Sequence, residues 1–198
     1  MQRIRWKGFE IPTKVELVAN SSSATEGEYG KFVAEPFERG FGITVGNALR
    51  RALLSSIEGI VPVALRIKNV PHEFTSIPGV REDIVNIVMN VRGILLRFNG
   101  EGPETITIEK KGVGPVLAKH FRTNAGVELV NPEWQIATLE NESAEFVAEV
   151  EFRKGRGYVR IEDFPWKVDE SIGAIPMAAD FRRCGKFVGR WKARVWAR

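Results

Sequence analysis

The sequence predicts an α+β fold. Two amphipathic helices are expected within the first 92 residues, whereas residues 94–153 hold five short β-type runs separated by Gly, Pro and Asn. Helices and strands therefore do not alternate as they would in βαβ units. With 198 residues, of which 43% are hydrophobic and 27% charged, the chain can form one large domain or two small ones around a buried core.

The first part of the chain is expected to contain two strands and a loop. Residues 9–18 and residues 29–37 have the composition of strands. The Ser-rich stretch at 20–28 that separates them is expected to be a loop, because small polar residues dominate it.

Two helices follow from the spacing of apolar residues. The first is predicted over 44–56, with Thr44 as N-cap and Gly59 as stop, and the second over 82–92, with Gly93 as stop. The apolar face of the first helix consists of Val45, Ala48, Leu49, Ala52 and Leu53. That of the second consists of Ile84, Ile87, Val88 and Val91. The remaining predicted strands are 60–70, 94–98, 105–110, 127–130, 135–139 and 146–153.

No constellation of catalytic or metal-binding residues is found, so no catalytic residue, metal site or cofactor is predicted. Cys184 is the only cysteine, which excludes an internal disulfide framework and a cysteine-based zinc site. His72 and His120 lie far apart in sequence, and the four aspartates form no close cluster. The glycine pairs at 112–114 and 155–157 lack a strand–loop–helix setting and are interpreted as turns.

Charge and hydropathy exclude two further classes, membrane-spanning proteins and proteins with a basic nucleic-acid-binding body. No apolar run approaches the roughly 20 residues of a membrane span, and the N-terminus has no signal-peptide core, so we expect a cytoplasmic protein. The chain carries a net charge of +4, but residues 182–198 carry +7 with no acid, which leaves −3 for residues 1–181. The body is therefore not a basic nucleic-acid-binding surface.

The segment ERGFGITVGNALRRALLSS (38–56) is the most unusual part of the sequence. A core helix would explain its apolar face, but less well the adjacent Arg50 and Arg51 or the position of Phe37 and Phe41 beside glycines. Such a helix can pack against a symmetry mate, while its arginines contact carboxylates or carbonyls of a partner. Physical chemistry alone therefore favours an interaction module over an enzyme.

Five motifs together resemble one known family. In chain order they are ERGFGITVGNALRRALLSS (38–56), HEFTSIPGVREDIVNIVMNVRG (72–93), KGVGPV (111–116), GRGYV (155–159) and IGAIP (172–176). The sequence resembles the alpha subunit of bacterial DNA-directed RNA polymerase over almost all of residues 1–181. The first two motifs are long and specific.

The resemblance implies a two-lobed N-terminal domain and a non-catalytic role. Residues 1–58 would begin a dimerisation lobe, and residues 59–181 would form an inserted, mainly β lobe. The homodimer would scaffold the beta and beta-prime subunits, which hold the active site of this nucleotidyltransferase complex. DNA would be reached only through the complex, without a cofactor and without a membrane.

The resemblance also implies two sets of interface residues. Those of the dimer seam are Phe37, Phe41, Thr44, Val45, Ala48, Leu49 and Ala52. Those that contact the beta or beta-prime subunit are Asn47, Arg50, Arg51, His72, Glu73, Gly79, Glu82, Asp83, Arg92, Gly155, Arg156 and Gly157. Two departures from the family weaken the contact assignments beside them, but not the resemblance itself: Arg160 stands where proline is usual after GRGYV, and Ala178 where an acidic residue is usual.

The tail after Phe181 departs from the family pattern altogether. There the family continues with a serine-proline strand that returns to the dimer lobe, whereas this chain reads RRCGKFVGRWKARVWAR. Back-translated and read two bases further on, one codon choice gives PVRKVRWQVEGTRVGQ, which resembles that strand. Glu and Gly in this reading follow from Trp191-Lys192 and Trp196-Ala197 whatever the codons. We therefore expect a lost base after the Phe181 codon, and a homodimer weakened by the missing strands.

Two other functions compete with this interpretation. A stand-alone nucleic-acid-binding module would use the basic tail, its Trp and Arg side chains stacking on bases. The abrupt change of composition at the point where the family pattern breaks favours the lost base instead. An unrecognised enzyme has no supporting constellation of residues.

Overall fold

The computed structural model describes residues 12–23, 27–100, 102–165, 173–182 and 188–189. In these residues the helices are α1 (Phe41–Ser55) and α2 (Ile84–Arg92), and short 3-10 turns cover Ala118–His120 and Ile161–Asp163. The strands are β1 (Val15–Ser23), β2 (Gly27–Ala34), β3 (Glu58–Ile67), β4 (Leu96–Phe98), β5 (Glu104–Lys111), β6 (Gly114–Leu117), β7 (Phe121–Arg122), β8 (Val127–Leu129), β9 (Gln135–Leu139), β10 (Glu145–Arg156), β11 (Tyr158–Val159), β12 (Ala174–Pro176) and β13 (Ala179–Asp180). The predicted α+β class is confirmed.

The chain divides into two compact units, of which Leu54–Gly185 is the larger. Its main sheet is antiparallel with the strand order β12-β3-β10-β5-β7. The two-stranded sheets β4-β8, β6-β9 and β11-β13 complete this unit. The twelve-residue β10 pairs with β3 on one side and with β5 on the other, so it holds the sheet together.

The core of the larger unit lies between α2 and the strands. Helix α2 buries Ile84, Ile87 and Val91, which join the cluster that holds Phe146 and Phe152 of β10. This arrangement follows from the sequence, because the buried positions of α2 recur every three or four residues and those of β10 every second residue. A smaller cluster of Val63, Ala179 and Phe181 packs β13 beside β3.

The other unit contains the β1–β2 hairpin and most of α1, and the apolar side chains that the structure describes in it are exposed or half-buried. Among the side chains described before Leu54, no apolar one is buried, and Gly46 is the buried residue of α1. Leu17 and Phe32 lie directly opposite each other in the hairpin, and both are exposed. This unit therefore presents its apolar groups to a partner or to solvent.

The predicted helix boundaries are partly wrong. Helix α1 begins at Phe41, so Thr44 lies inside the helix, where its hydroxyl approaches the Gly40 carbonyl at 3.5 Å, and it is not the N-cap. Gly59 does not stop the helix, which ends at Ser55, because Gly59 is buried in β3. The predicted stop at Gly93 is confirmed, since its N–H bonds to carbonyls of the last turn of α2.

The loop predicted at 20–28 is also wrong for most of its residues. Strand β1 continues to Ser23, and β2 begins at Gly27. Backbone pairing between the two strands fixes the conformation of the serines, which overrides their preference for loops. Of the glycine pairs interpreted as turns, Gly112 and Gly157 have positive φ and turn the chain, but Gly155 lies within β10.

Candidate interaction surfaces

Helix α1 carries an uncovered apolar face. Phe41, Val45 and Leu49 follow one another at intervals of four residues, and Leu49 is 52% exposed. Thr44, Ala48 and Ala52 are exposed too, and Phe37, just before the helix, is half-buried. Fifteen residues of helix give this face a length of about 22 Å. The sequence-predicted seam residues that lie on α1 therefore share one exposed face of the helix.

The polar residues predicted on α1 are divided between two sides of the helix. Arg51 adjoins the apolar face on the side of Ala48 and Arg50 adjoins it on the side of Leu53, whereas Asn47 lies on the opposite side of the helix. All three are exposed. A partner that covers the apolar face therefore meets Arg50 and Arg51 at its two borders, but not Asn47.

The segment at 68–83 between β3 and α2 is attached to β9. The Arg81 N–H donates to the Thr138 carbonyl at 3.0 Å, and the Glu140 N–H donates to the Gly79 carbonyl at 2.9 Å. The Glu82 carboxylate accepts the Thr138 N–H at 2.6 Å and the Thr138 hydroxyl at 2.8 Å. Glu82 thus clamps this segment onto the β6–β9 sheet.

Gly79 and Asp83 have structural roles in the same segment. Gly79 has a φ of +78°, and a Cβ there would lie 2.9 Å from the Cβ of Ala144. A side chain at this position would be both strained and crowded. Asp83 is the N-cap of α2, where its carboxylate accepts the Asn86 N–H at 2.8 Å.

The motif at 72–93 has exposed residues at both ends, His72 and Glu73 at its start and Arg92 at its end. The His72 Nδ1 lies 3.1 Å from the Thr75 hydroxyl. The Arg182 guanidinium bonds to both carboxylate oxygens of Asp180, at 2.7 and 2.6 Å, and holds the pKa of that carboxyl below its usual value, with a smaller contribution from Arg92. The charge of Arg92 therefore lies near the β11–β13 ribbon.

The turn at 155–157 depends on glycine at two positions. A Cβ on Gly155 would lie 2.6 Å from the ring of Phe181, and the Gly157 carbonyl accepts the Phe181 N–H at 2.9 Å. Gly157 has a φ of +70°, which favours glycine. Arg156 between them is exposed. The two glycines fix the turn, and Arg156 is the side chain that it offers to solvent.

The departures from the family pattern have local roles here. Arg160 donates from Nε to the Asp163 carboxylate at 2.8 Å and caps a 3-10 turn with its carbonyl, which accepts the Asp163 N–H. Ala178 is half-buried beside β13.

The tail and the two ideas built on it lie largely outside the described residues. Of 182–198, the structure describes 182, 188 and 189. The lost-base hypothesis and the nucleic-acid-binding alternative both concern this segment.

Within the described ranges, no three His, Cys, Asp or Glu side chains gather as metal ligands would. No described helix has the length and hydrophobicity needed to cross a membrane.

His120 gives a prediction for the pH dependence of stability. Burial, followed by the charges of Lys110 and Lys119, lowers the pKa of His120 from the ordinary value of about 6.5. Its Nδ1 accepts the Leu117 N–H at 3.0 Å, which requires the neutral ring. Because the pKa is lower in the folded than in the unfolded state, this contribution to stability is present above pH 6.5 and is lost as the pH falls through the folded-state pKa.

We therefore expect wild type to be more stable than His120→Gln at pH 7.5, with a difference that shrinks by pH 5. Urea unfolding of both proteins at the two pH values measures the difference, and carboxylates that titrate in both proteins cancel from it. A difference independent of pH would contradict the assignment.

Sequence reasoning did not single out Phe74, which the structure leaves 84% exposed. Met89 of α2 and Tyr158 of β11 are exposed apolar or aromatic residues that were missed in the same way. The available signal for Phe74 was an aromatic residue in a turn-like stretch that ends at Pro78 and Gly79. No comparable signal marked the other two, because their exposure depends on tertiary packing.

Comparison with known proteins shows which family the chain is similar to. A family model described as "RNA polymerase Rpb3/RpoA insert domain" matches residues 65–182. The chain is 42% identical over 178 residues to the DNA-directed RNA polymerase subunit alpha of Rhodopirellula baltica, covering 90% of this chain and 52% of that protein. It is 43% identical over 178 residues to the subunit of the same name from Leptospira biflexa, with 88% and 53% covered. The chain thus spans about half the length of these curated relatives.

Proposed function

The chain belongs to the bacterial RNA polymerase alpha-subunit family, corresponding to its N-terminal region, and on this premise we propose that it is a non-catalytic assembly subunit. In this proposal two copies dimerise and together hold the beta and beta-prime subunits of a DNA-directed RNA polymerase. The catalytic residues belong to those large subunits. Contact with DNA is made through the assembled complex.

The open apolar face of α1 is the observation that carries the proposal. Phe41, Val45 and Leu49 lie in a row along α1, and all three side chains are exposed. A contiguous apolar face of this kind is typical of a protein–protein interface. In an isologous dimer the same face of a second copy would cover it, so that each Leu49 lies against the partner helix.

The surfaces proposed for the large subunits combine exposed contact residues with residues that set the shape of the backbone. Arg50 and Arg51 adjoin the apolar face, and Asn47 is exposed on the opposite side of α1. His72, Glu73, Arg92 and Arg156 are exposed in the larger unit. The guanidinium groups of the arginines allow bidentate hydrogen bonds to a partner, and the amide, imidazole and carboxylate groups allow single ones. Gly79, Glu82, Asp83, Gly155 and Gly157 act indirectly in this proposal, because they hold the segment at 68–83 and the turn at 155–157 in place.

Truncation of Leu49 tests the dimer. We expect Leu49→Ala to weaken self-association at least tenfold, because it removes an apolar side chain near the middle of the proposed seam. Sedimentation equilibrium over a range of concentrations that spans dissociation of the wild-type dimer measures the change. Val113→Ala is the matched control, since Val113 is 59% exposed but lies in the turn between β5 and β6.

Two results would count against the proposal. One is a wild-type chain that stays monomeric at every concentration. The other is a dimer whose dissociation constant is the same for wild type and Leu49→Ala.

A further inference from the structure

The larger unit contains an open cleft with a volume of about 330 Å³, lined by residues of β3, β4 and β10 and by residues beside β4 and β8. Its apolar lining includes Ile60 of β3, Leu96 of β4, and Leu95 and Val130 next to the β4–β8 ribbon. A cleft of this size with a mainly apolar lining and few polar groups is typical of a binding site.

One wall of the cleft is apolar, exposed and fixed in position. The side chains of Leu95 and Val130 are 40% and 48% exposed. The Leu95 carbonyl accepts the Val130 N–H at 2.9 Å, and the Leu95 N–H donates to the Asn131 side-chain oxygen at 2.8 Å. Because this wall is ordered before binding, a partner that covers it gains apolar contact without the cost of ordering the backbone.

Lys154 supplies a positive charge to the cleft. Its side chain is half-buried, and its ammonium lies 5.0 Å from the centroid of the Phe98 ring, a position that the face of an aromatic ring favours. Among the residues that the structure describes, no carboxylate forms an ion pair with Lys154.

The other two charged residues of the cleft face charges of opposite sign within the chain. Arg97 pairs with Glu128 at 3.2 Å, and Glu58 lies directly opposite Arg156 in the pairing of β3 with β10. The charge that a ligand would complement is therefore that of Lys154, and the complementary group is a carboxylate.

The position of the apolar wall indicates where this carboxylate comes from. A small carboxylate held beside Lys154 would leave much of Leu95 and Val130 in water, whereas an extended peptide segment can cover both. A second copy of the chain would bring one Lys154 towards the other in an isologous contact, which is unfavourable. The observations therefore favour a segment of a different protein.

We propose that this cleft binds an extended segment of another protein in which an acidic residue stands next to a branched apolar one. The carboxylate of the segment pairs with Lys154, and the apolar side chain packs against Leu95 and Val130. This inference does not depend on the proposed function, because no lining residue of the cleft belongs to the dimer seam or to the surfaces proposed for the large subunits.

Titration of the isotopically labelled full chain with two capped peptides, followed by NMR, tests the site. The first peptide has the sequence Gly-Ser-Leu-Asp-Ser-Gly, and in the second Asn replaces Asp. We expect saturable shifts at the amides of 95–97, 130 and 154, with about fivefold weaker binding of the Asn peptide. Lys154→Met is expected to remove the preference for the acidic peptide, and Lys154→Arg to keep it. Lys110→Met is the matched control, since Lys110 is half-buried on β5 outside the cleft.

Four results would overturn the inference, and none of them bears on the proposed assembly function. The first is the absence of saturable shifts at the cleft up to millimolar peptide. The second is equal affinity of wild type for the two peptides, a comparison that does not require any variant to fold. The third is a preference for the acidic peptide that persists in Lys154→Met. The fourth is binding of isovalerate, a small branched carboxylate, as tightly as the acidic peptide, which would indicate a small-molecule site instead.

Discussion

Phe181→Ala is expected to lower the free energy of unfolding of the larger unit by about 3–5 kcal/mol. Phe181 is 1% exposed and packs with Val63 of β3 and Ala179 of β13. Its ring also fills the space that a Cβ on Gly155 would enter, 2.6 Å away. Truncation would leave a cavity between β13 and β10, and the surrounding backbone can close it only in part.

Urea denaturation followed by tryptophan fluorescence and circular dichroism measures the loss. Phe74→Ala removes the same phenyl group from an exposed turn, and its effect is expected to stay within about 0.5 kcal/mol. A loss below about 1 kcal/mol for Phe181→Ala would show that the ring does not hold β13 to the sheet. The turn at 155–157 would then need another explanation for its glycine.

Helix α2 and strand β9 were predictable because their signals are local. The apolar residues of α2 recur with helical spacing, and Gly93 stops the helix as predicted. Strand β9 covers Gln135–Leu139, the range predicted from its β-rich composition. In α2 the buried face coincides with the apolar face of the sequence, and in β9 the buried residues are its apolar ones, Ile136, Ala137 and Leu139. Local propensity and tertiary packing therefore agree in both elements.

Strands β12 and β13 were not predictable because they are short and depend on long-range pairing. Strand β12 pairs with β3 through Ala174–Pro176, and β13 pairs with β11 through two residues. Segments of two or three residues show no measurable periodicity. The extension of β1 and β2 through the serines of the hairpin has the same origin, because cross-strand pairing decides the conformation there.

The candidate surfaces, like the fold, were predictable from the sequence only in part. The open apolar face of α1 follows from residue spacing, which does not show whether the face is covered. The resemblance to the family marked Glu82, Asp83 and Gly155 without distinguishing contact from support. The structure shows an intramolecular role for each of them, since Glu82 bonds to β9, Asp83 caps α2 and Gly155 accommodates Phe181. Hydrogen bonds between residues 56 positions apart, such as Glu82 to Thr138, have no signature in a single sequence.

Glu82→Ala is expected to lower the free energy of unfolding by about 2–3 kcal/mol, because hydrogen bonds to a carboxylate are among the stronger ones. The substitution removes both bonds to Thr138 and leaves the Thr138 N–H, in a half-buried position, without its acceptor. The segment at 68–83 would remain attached to β9 through backbone hydrogen bonds, but the amides of 72–82 would be less strongly protected.

Two control variants and one local measurement distinguish loss of the Glu82–Thr138 hydrogen bonds from a general loss of packing. Glu82→Gln keeps one acceptor oxygen and is expected to lose less stability than Glu82→Ala, and Thr138→Val removes the hydroxyl bond while keeping the N–H. Hydrogen exchange is expected to accelerate at the amides of 72–82 in Glu82→Ala, while exchange in β10 stays slow until global unfolding. Uniform acceleration in both regions would contradict a local clamp. Unchanged exchange at 72–82 would show that the backbone bonds of Gly79 and Arg81 to β9 hold the segment without Glu82, and Phe74 would then keep its position in the variant.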